Sequence, residues 1–146
     1  MVWNEIKSMN DVNHLNSLFS NFHDSYLKEL CYSSGSYVCD DLAMHDYNEP
    51  IVRFLFQRIW ENPSVIEVEF RDVLQVNIKP APKGDFSFIL DAPIHLSGDT
   101  FYWNANNWSI HDTAKDMYTW VLAKKTFWRV RDNLLGYKKV YQVDKE

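Results

Sequence analysis

Along most of this chain apolar and polar residues alternate in short runs separated by turn-forming residues. A strand shows this period of two because successive side chains leave it on opposite faces. One segment near the start departs from it. Val12, Leu15, Leu18, Phe19 and Phe22 fall at helical spacing, so Met9 to Phe22 is expected to form an amphipathic helix, with Asn10 or Asp11 capping its first turn. His23-Asp24-Ser25 ends that pattern, and Tyr26 to Tyr32 and Ser36 to Leu42 read as two strands around the turn Ser34-Gly35. Ile51 to Trp60 is apolar nearly throughout, with Val52, Phe54, Phe56 and Trp60 on one face and Ile51, Arg53, Leu55, Gln57 and Ile59 on the other. That is the pattern of a central strand covered on both sides.

Two one-sided strands follow. Ile66, Val68 and Phe70 alternate with Glu67 and Glu69, and Leu74, Val76 and Ile78 alternate with Gln75, Asn77 and Lys79. After the loop Pro80 to Asp85, Phe86, Phe88 and Leu90 alternate with Ser87, Ile89 and Asp91, which predicts another strand. Ile94 to Leu96, Thr100 to Trp103 and Trp108 to Ile110 are short strand candidates separated by residues that tolerate positive φ. Asp112 to Arg131 admits two readings. Ala114, Met117, Tyr118, Val121 and Leu122 satisfy helical spacing with Asp112 as N-cap, but the aromatic and β-branched content favours strands at Tyr118 to Ala123 and Thr126 to Val130. Lys138 to Glu146 is mostly polar and is expected to fray. The expected fold is α+β and mostly β. An N-terminal helix packs on a curled antiparallel sheet, a sandwich or open barrel, within a single domain spanning 1-146.

Composition narrows the function classes. The chain, at 146 residues with 46% hydrophobic and 24% charged content, can bury a core and is not disordered. A formal charge of -5 argues against nucleic acid as a partner. Lys124, Lys125, Arg129, Arg131, Lys138 and Lys139 form a local basic stripe, read as a solvated face. Met1 to Met9 lacks a basic start followed by an apolar run, and no stretch approaches the roughly 18 apolar residues of a span. A cytoplasmic protein without membrane association is therefore expected. The two cysteines, Cys31 and Cys39, flank Gly35 symmetrically. A hairpin centred there would bring them to bridgeable distance, yet a reducing compartment leaves them as free thiols.

Candidate chemistry is sparse. His-Asp occurs at His23-Asp24, His45-Asp46 and His111-Asp112, but adjacent residues on a strand face opposite ways, so a metal site would need ligands from different pairs. Ser25 lies beside His23 and Asp24 without the turn that presents a nucleophile, and is read as fixing the start of the first strand. Glu67 and Glu69 share one strand face and are read as solvated rather than as an acid/base pair. The histidines, at positions 14, 23, 45, 95 and 111, are scattered, so neither an enzyme nor a cofactor is expected. The aromatic cluster Phe101-Tyr102-Trp103 with Trp108, Trp120, Phe127 and Trp128 is different, because adjacent aromatics on a strand cannot all face one core. Tyr102, Trp103, Trp108 and Trp128 are the candidate binding residues, for a protein or a carbohydrate, with core packing as the competing account.

Asn21-Phe22-His23-Asp24-Ser25 after a short helix, then a hairpin and a strand such as Ile66-Glu67-Val68-Glu69-Phe70, resembles an arrangement in small bacterial proteins, some grouped with immunity proteins of polymorphic toxin systems. The resemblance implies a non-enzymatic module that binds another protein. An acidic inhibitor of this kind is steered to a basic, nuclease-type toxin. Two alternatives stand beside it: a carrier holding a small apolar ligand in an aromatic-lined β-barrel pocket, and a metal-dependent hydrolase using the His-Asp pairs.

Overall fold

The helical spacing near the N-terminus is realised as α1, Met9–Leu18. Residues 2–46 and 49–142 are described by a computed structural model. Ser8, rather than the expected Asn10 or Asp11, is the N-cap. Its hydroxyl accepts from the Asp11 N–H at 3.3 Å, and the Asp11 carboxylate accepts from the Lys7 N–H at 2.8 Å. The helix stops because Ser20, Asn21 and Phe22 take left-handed backbone angles of 50°, 52° and 63°. Arg58 closes that end. Its guanidinium donates to the Leu18 carbonyl at 3.0 Å and lies 4.4 Å above the Phe19 ring.

Seven strands form one antiparallel sheet. They are β1 (Asn4–Glu5), β2 (Ser25–Ser33), β5 (Ile51–Arg58), β6 (Val65–Asn77), β7 (His95–Ser97), β8 (Thr100–Asn104) and β9 (Trp120–Val130). Between β2 and β5 lies a separate two-stranded hairpin, β3 (Tyr37–Val38) with β4 (Met44–His45). The order is β2-β5-β6-β9-β8-β7, and one side of β9 is shared: Trp120 to Ala123 pairs with β8, while Phe127 and Trp128 pair with β1. With β2 and β7 at its ends the sheet is open, a sandwich-like arrangement rather than a closed barrel.

The inner face carries the core. Val52, Phe54 and Phe56 stand opposite Phe70, Val68 and Ile66, and Val12 and Leu15 of α1, with Phe19 just after it, join them in the core. Trp103 is the centre of this layer, with ring centroids of Phe54 and Phe56 at 5.4 and 5.3 Å. The motif at 21–25 fixes the layer's edge. Ser25 donates to the Phe22 carbonyl, the Asp24 N–H donates to Ile89, and the Ala92 N–H donates to Asn21.

Several expected elements differ. The hairpin around Ser34-Gly35 does not form, because β2 pairs along its length with β5. The two strands expected at 66–79 are one strand, β6, with a bulge between Val73 and Gln75 that turns Val73 and Val76 inward and leaves Leu74 and Ile78 exposed. The alternation at 86–91 makes a single bridge, Ser25 to Ile89, with Ile89 buried and Phe86, Phe88 and Leu90 exposed. Trp60 lies in the turn after β5 and is exposed, and Trp108 to Ile110 is a loop. The strands expected at 118–123 and 126–130 are the single strand β9, preceded by a short 3-10 helix, Thr113–Met117, that Asp112 caps. Val140 and Tyr141 dock on the sheet instead of fraying, and 143–146 lies outside the described residues. Among the described residues no helix is long and apolar enough to cross a membrane.

Candidate functional site

Inner residues of β7, β8 and β9 fill the core, so their alternate residues must look outward. His95, Ser97, Thr100, Tyr102 and Leu122 do so, and the loop after β8 folds Asn107, Trp108, Ser109, Ile110 and His111 against them around a cleft of about 630 Å³. Asn104, 1% exposed, holds that loop: its side-chain oxygen accepts from the N–H of Asn106 at 2.9 Å and of Trp108 at 3.4 Å. The Tyr102 hydroxyl donates to the Trp108 carbonyl at 2.7 Å, and burial pushes it up from the ordinary tyrosine range. A second depression of about 340 Å³, lined by Leu90, Asp91, Asn106, Asn107 and Trp108, adjoins it.

The other half of the outer face is charged and covered. Arg53 stands opposite Glu69, and Glu67 opposite Arg129, so strand register alone creates cross-strand ion pairs. Glu67 accepts from Arg129 at 2.7 Å, from Arg131 at 3.4 Å and from the Tyr141 hydroxyl; Glu69 accepts from Arg53 at 2.6 Å and from Arg71. Both carboxylates are 1% exposed, which corrects their reading as a solvated face. Part of the basic stripe is paired: besides Arg129 and Arg131, Lys124 pairs with Asp99 and Lys125 with Glu49, each at 3.1 Å, while Lys138 and Lys139 are exposed. Burial, and next the bond it gives Glu67, hold the Tyr141 hydroxyl well above the ordinary tyrosine value.

The C-terminal strap responsible for this cover is anchored on Glu29. Its carboxylate accepts from the Val140 N–H at 2.8 Å, the Tyr141 N–H at 3.2 Å and Lys28 at 2.9 Å. Burial pushes the Glu29 carboxyl up, but the Lys28 ammonium and the two backbone donors outweigh it and hold the group below the ordinary 4.5. A depressed folded-state pKa contributes stability that is complete above the unfolded value and lost as pH falls through the folded one. Val140 and Tyr141 amide NMR signals are therefore expected to hold their bound positions at neutral pH and to shift on acidification below 4.5. Glu29→Gln is expected to abolish that acid transition.

The β3–β4 hairpin projects from the end of β2. Apart from Cys39, every residue from Ser36 to Asp46 is exposed. Its tip closes through the Leu42 N–H to the Cys39 carbonyl at 2.8 Å and the Ala43 N–H to the Asp41 carboxylate at 3.0 Å, with Leu42 at φ 67°. Val38, Leu42 and Met44 are 60%, 82% and 80% exposed. Asp40, Asp41 and Asp46 are exposed beside them, and no Lys or Arg occurs between Ser33 and Asp46. Sequence reasoning missed this surface, although a run of acids and apolar residues without a basic one was there to be read.

Of the four residues singled out from sequence, Tyr102 and Trp108 meet at the cleft, whereas Trp103 is fully buried and Trp128 is 8% exposed on the inner face. His95, Ser97 and His111 join the cleft unforeseen. The His-Asp pairs do not converge: His23 contacts Asp24 and Leu90, His45 stacks on Tyr37, and His111 lines the cleft. Among the described residues no three His, Cys, Asp or Glu side chains are grouped to hold a metal ion. Cys31 and Cys39 are free thiols. Comparison with family models, curated proteins and solved structures finds no match.

Proposed function

We propose that this chain is a non-enzymatic protein-binding module of inhibitor or immunity type, and that it docks a basic protein surface through the β3–β4 hairpin. The observation that carries this reading is the exposed apolar tip. A lone two-stranded hairpin is marginal in water, and a non-glycine residue in the left-handed region costs about 1–2 kcal/mol. Leu42 bears that cost while presenting its side chain to solvent. None of the described residues covers the Leu42 side chain, and an apolar knob of this kind fills a pocket on a partner. Asp40, Asp41 and Asp46 select a cationic surface around that pocket and steer its approach.

The test is capture from extracts of the source cells, comparing the wild type with the Asp40→Asn, Asp41→Asn, Asp46→Asn triple variant. A stoichiometric basic protein is expected on the wild type alone, with an association rate that falls as salt rises. Identical proteins retained by both forms would count against the hairpin. The carrier alternative required a closed barrel, and the sheet is open; the cleft beside β7 supports a different small ligand.

A further inference from the structure

We infer that the cleft over β7, β8 and β9 is a binding site for a neutral saccharide, independent of the protein-docking hairpin. Ligand charge follows from the lining. The lining residues include no Lys, Arg, Asp or Glu, so no permanently charged side chain among them pairs with a phosphate, a carboxylate or an ammonium group. The cleft is also not a purely apolar hole. Ser97, Thr100, Tyr102, Asn107 and Ser109 bring hydroxyl and amide groups to a wall that includes Leu122 and the Trp108 ring. A pyranose has the complementary make-up, with apolar C–H faces for an aromatic ring and hydroxyls at its rim.

The hydrogen-bonding capacity left open matches a polyol. His95 Nε2 lies 2.7 Å from the Asn107 side-chain oxygen, while the Asn107 amide nitrogen faces Asp91 at 3.4 Å. An amide oxygen only accepts, so His95 Nε2 carries the hydrogen of this bond. Among the described residues the Trp108 indole N–H, the Ser97 hydroxyl and the His111 ring have no hydrogen-bond partner. Donors and acceptors are thus both on offer, as a hydroxyl requires. The volume of about 630 Å³ lies within the range of small-molecule sites. Trp108, 38% exposed, also lines the adjoining depression, so a longer saccharide can continue across its ring. The loop needs no closure, because Asn104 and the Tyr102 hydroxyl already hold it.

The experiment titrates the purified chain with neutral hexoses, N-acetylhexosamines and their disaccharides, followed by tryptophan fluorescence and calorimetry. Glucuronic acid serves as the charged comparison. Saturable binding of at least one neutral sugar is expected, insensitive to salt, with affinity at least about tenfold lower in Trp108→Ala and largely restored in Trp108→Phe. Circular dichroism of each variant checks that the fold is intact. No saturable binding of any neutral sugar at about 50 mM overturns the inference. So does binding that Trp108→Ala leaves unchanged, or salt-sensitive binding of glucuronic acid alone.

Discussion

Replacing Glu67 with Ala is expected to destabilise the protein by about 3–5 kcal/mol, a large part of the stability of a domain this size. The carboxylate is 1% exposed and anchors Arg129, Arg131 and Tyr141 at once. Its removal leaves two cations and a hydroxyl under the strap with no acceptor, and the desolvation of those groups is then uncompensated. The effect arises from breaking a pair rather than from a pair being intrinsically favourable. Replacing Glu67 and Arg129 together by leucines is therefore expected to recover part of the loss, since Arg131 and the Tyr141 hydroxyl still lack their acceptor. Denaturant unfolding of the single and double variants measures both. Equal losses in the two would mean that packing, not charge, is what Glu67 contributes.

Trp103→Ala is the second large effect, at about 3–5 kcal/mol. The indole is fully buried among Phe22, Phe54 and Phe56, and its N–H donates to the Ala92 carbonyl at 2.7 Å. Truncation opens a cavity at the centre of the inner layer and leaves that carbonyl without its donor. Trp108→Ala, at a half-exposed ring, is expected to cost about 1 kcal/mol or less. Thermal unfolding of the pair separates a core aromatic from a surface one, two roles that look alike in sequence. A Trp103→Ala protein of near-native stability would contradict the placement of that ring.

The contrast shows what residue patterns disclose. The faces of Ile51 to Arg58 were legible because alternation names the two sides of any strand, and Val52, Phe54 and Phe56 do point into the core. Alternation does not say which side gains a cover. Glu67 and Glu69 look solvated until Tyr141, 74 residues further on, closes over them. A bulge was equally invisible: it falls between Val73 and Gln75, just after Asp72 at φ 52°, with no glycine to announce it, and it leaves Leu74 exposed while Val73 and Val76 pack on the core. At Phe86 to Leu90 alternation was present but no neighbouring strand was available beyond Ile89. The local turn at Ser34-Gly35 lost to a distant partner, since pairing with β5 satisfies the length of β2. For the cleft, Tyr102 and Trp108 were legible as aromatics in excess of one core. His95, Ser97 and His111 were not, because only the fold of the loop after β8 brings them to that wall.

The most direct measurement is the affinity of Leu42→Gly for the captured partner, read alongside its melting temperature. Glycine relieves the left-handed backbone at φ 67° and deletes only an exposed side chain, so the melting temperature is expected to stay unchanged or rise slightly. Loss of a leucine from a partner's pocket removes about 1.5–3 kcal/mol, which weakens binding by roughly tenfold to a hundredfold. Retained stability with an affinity lowered to that extent is the expected result. An affinity equal to that of the wild type would contradict docking through the hairpin.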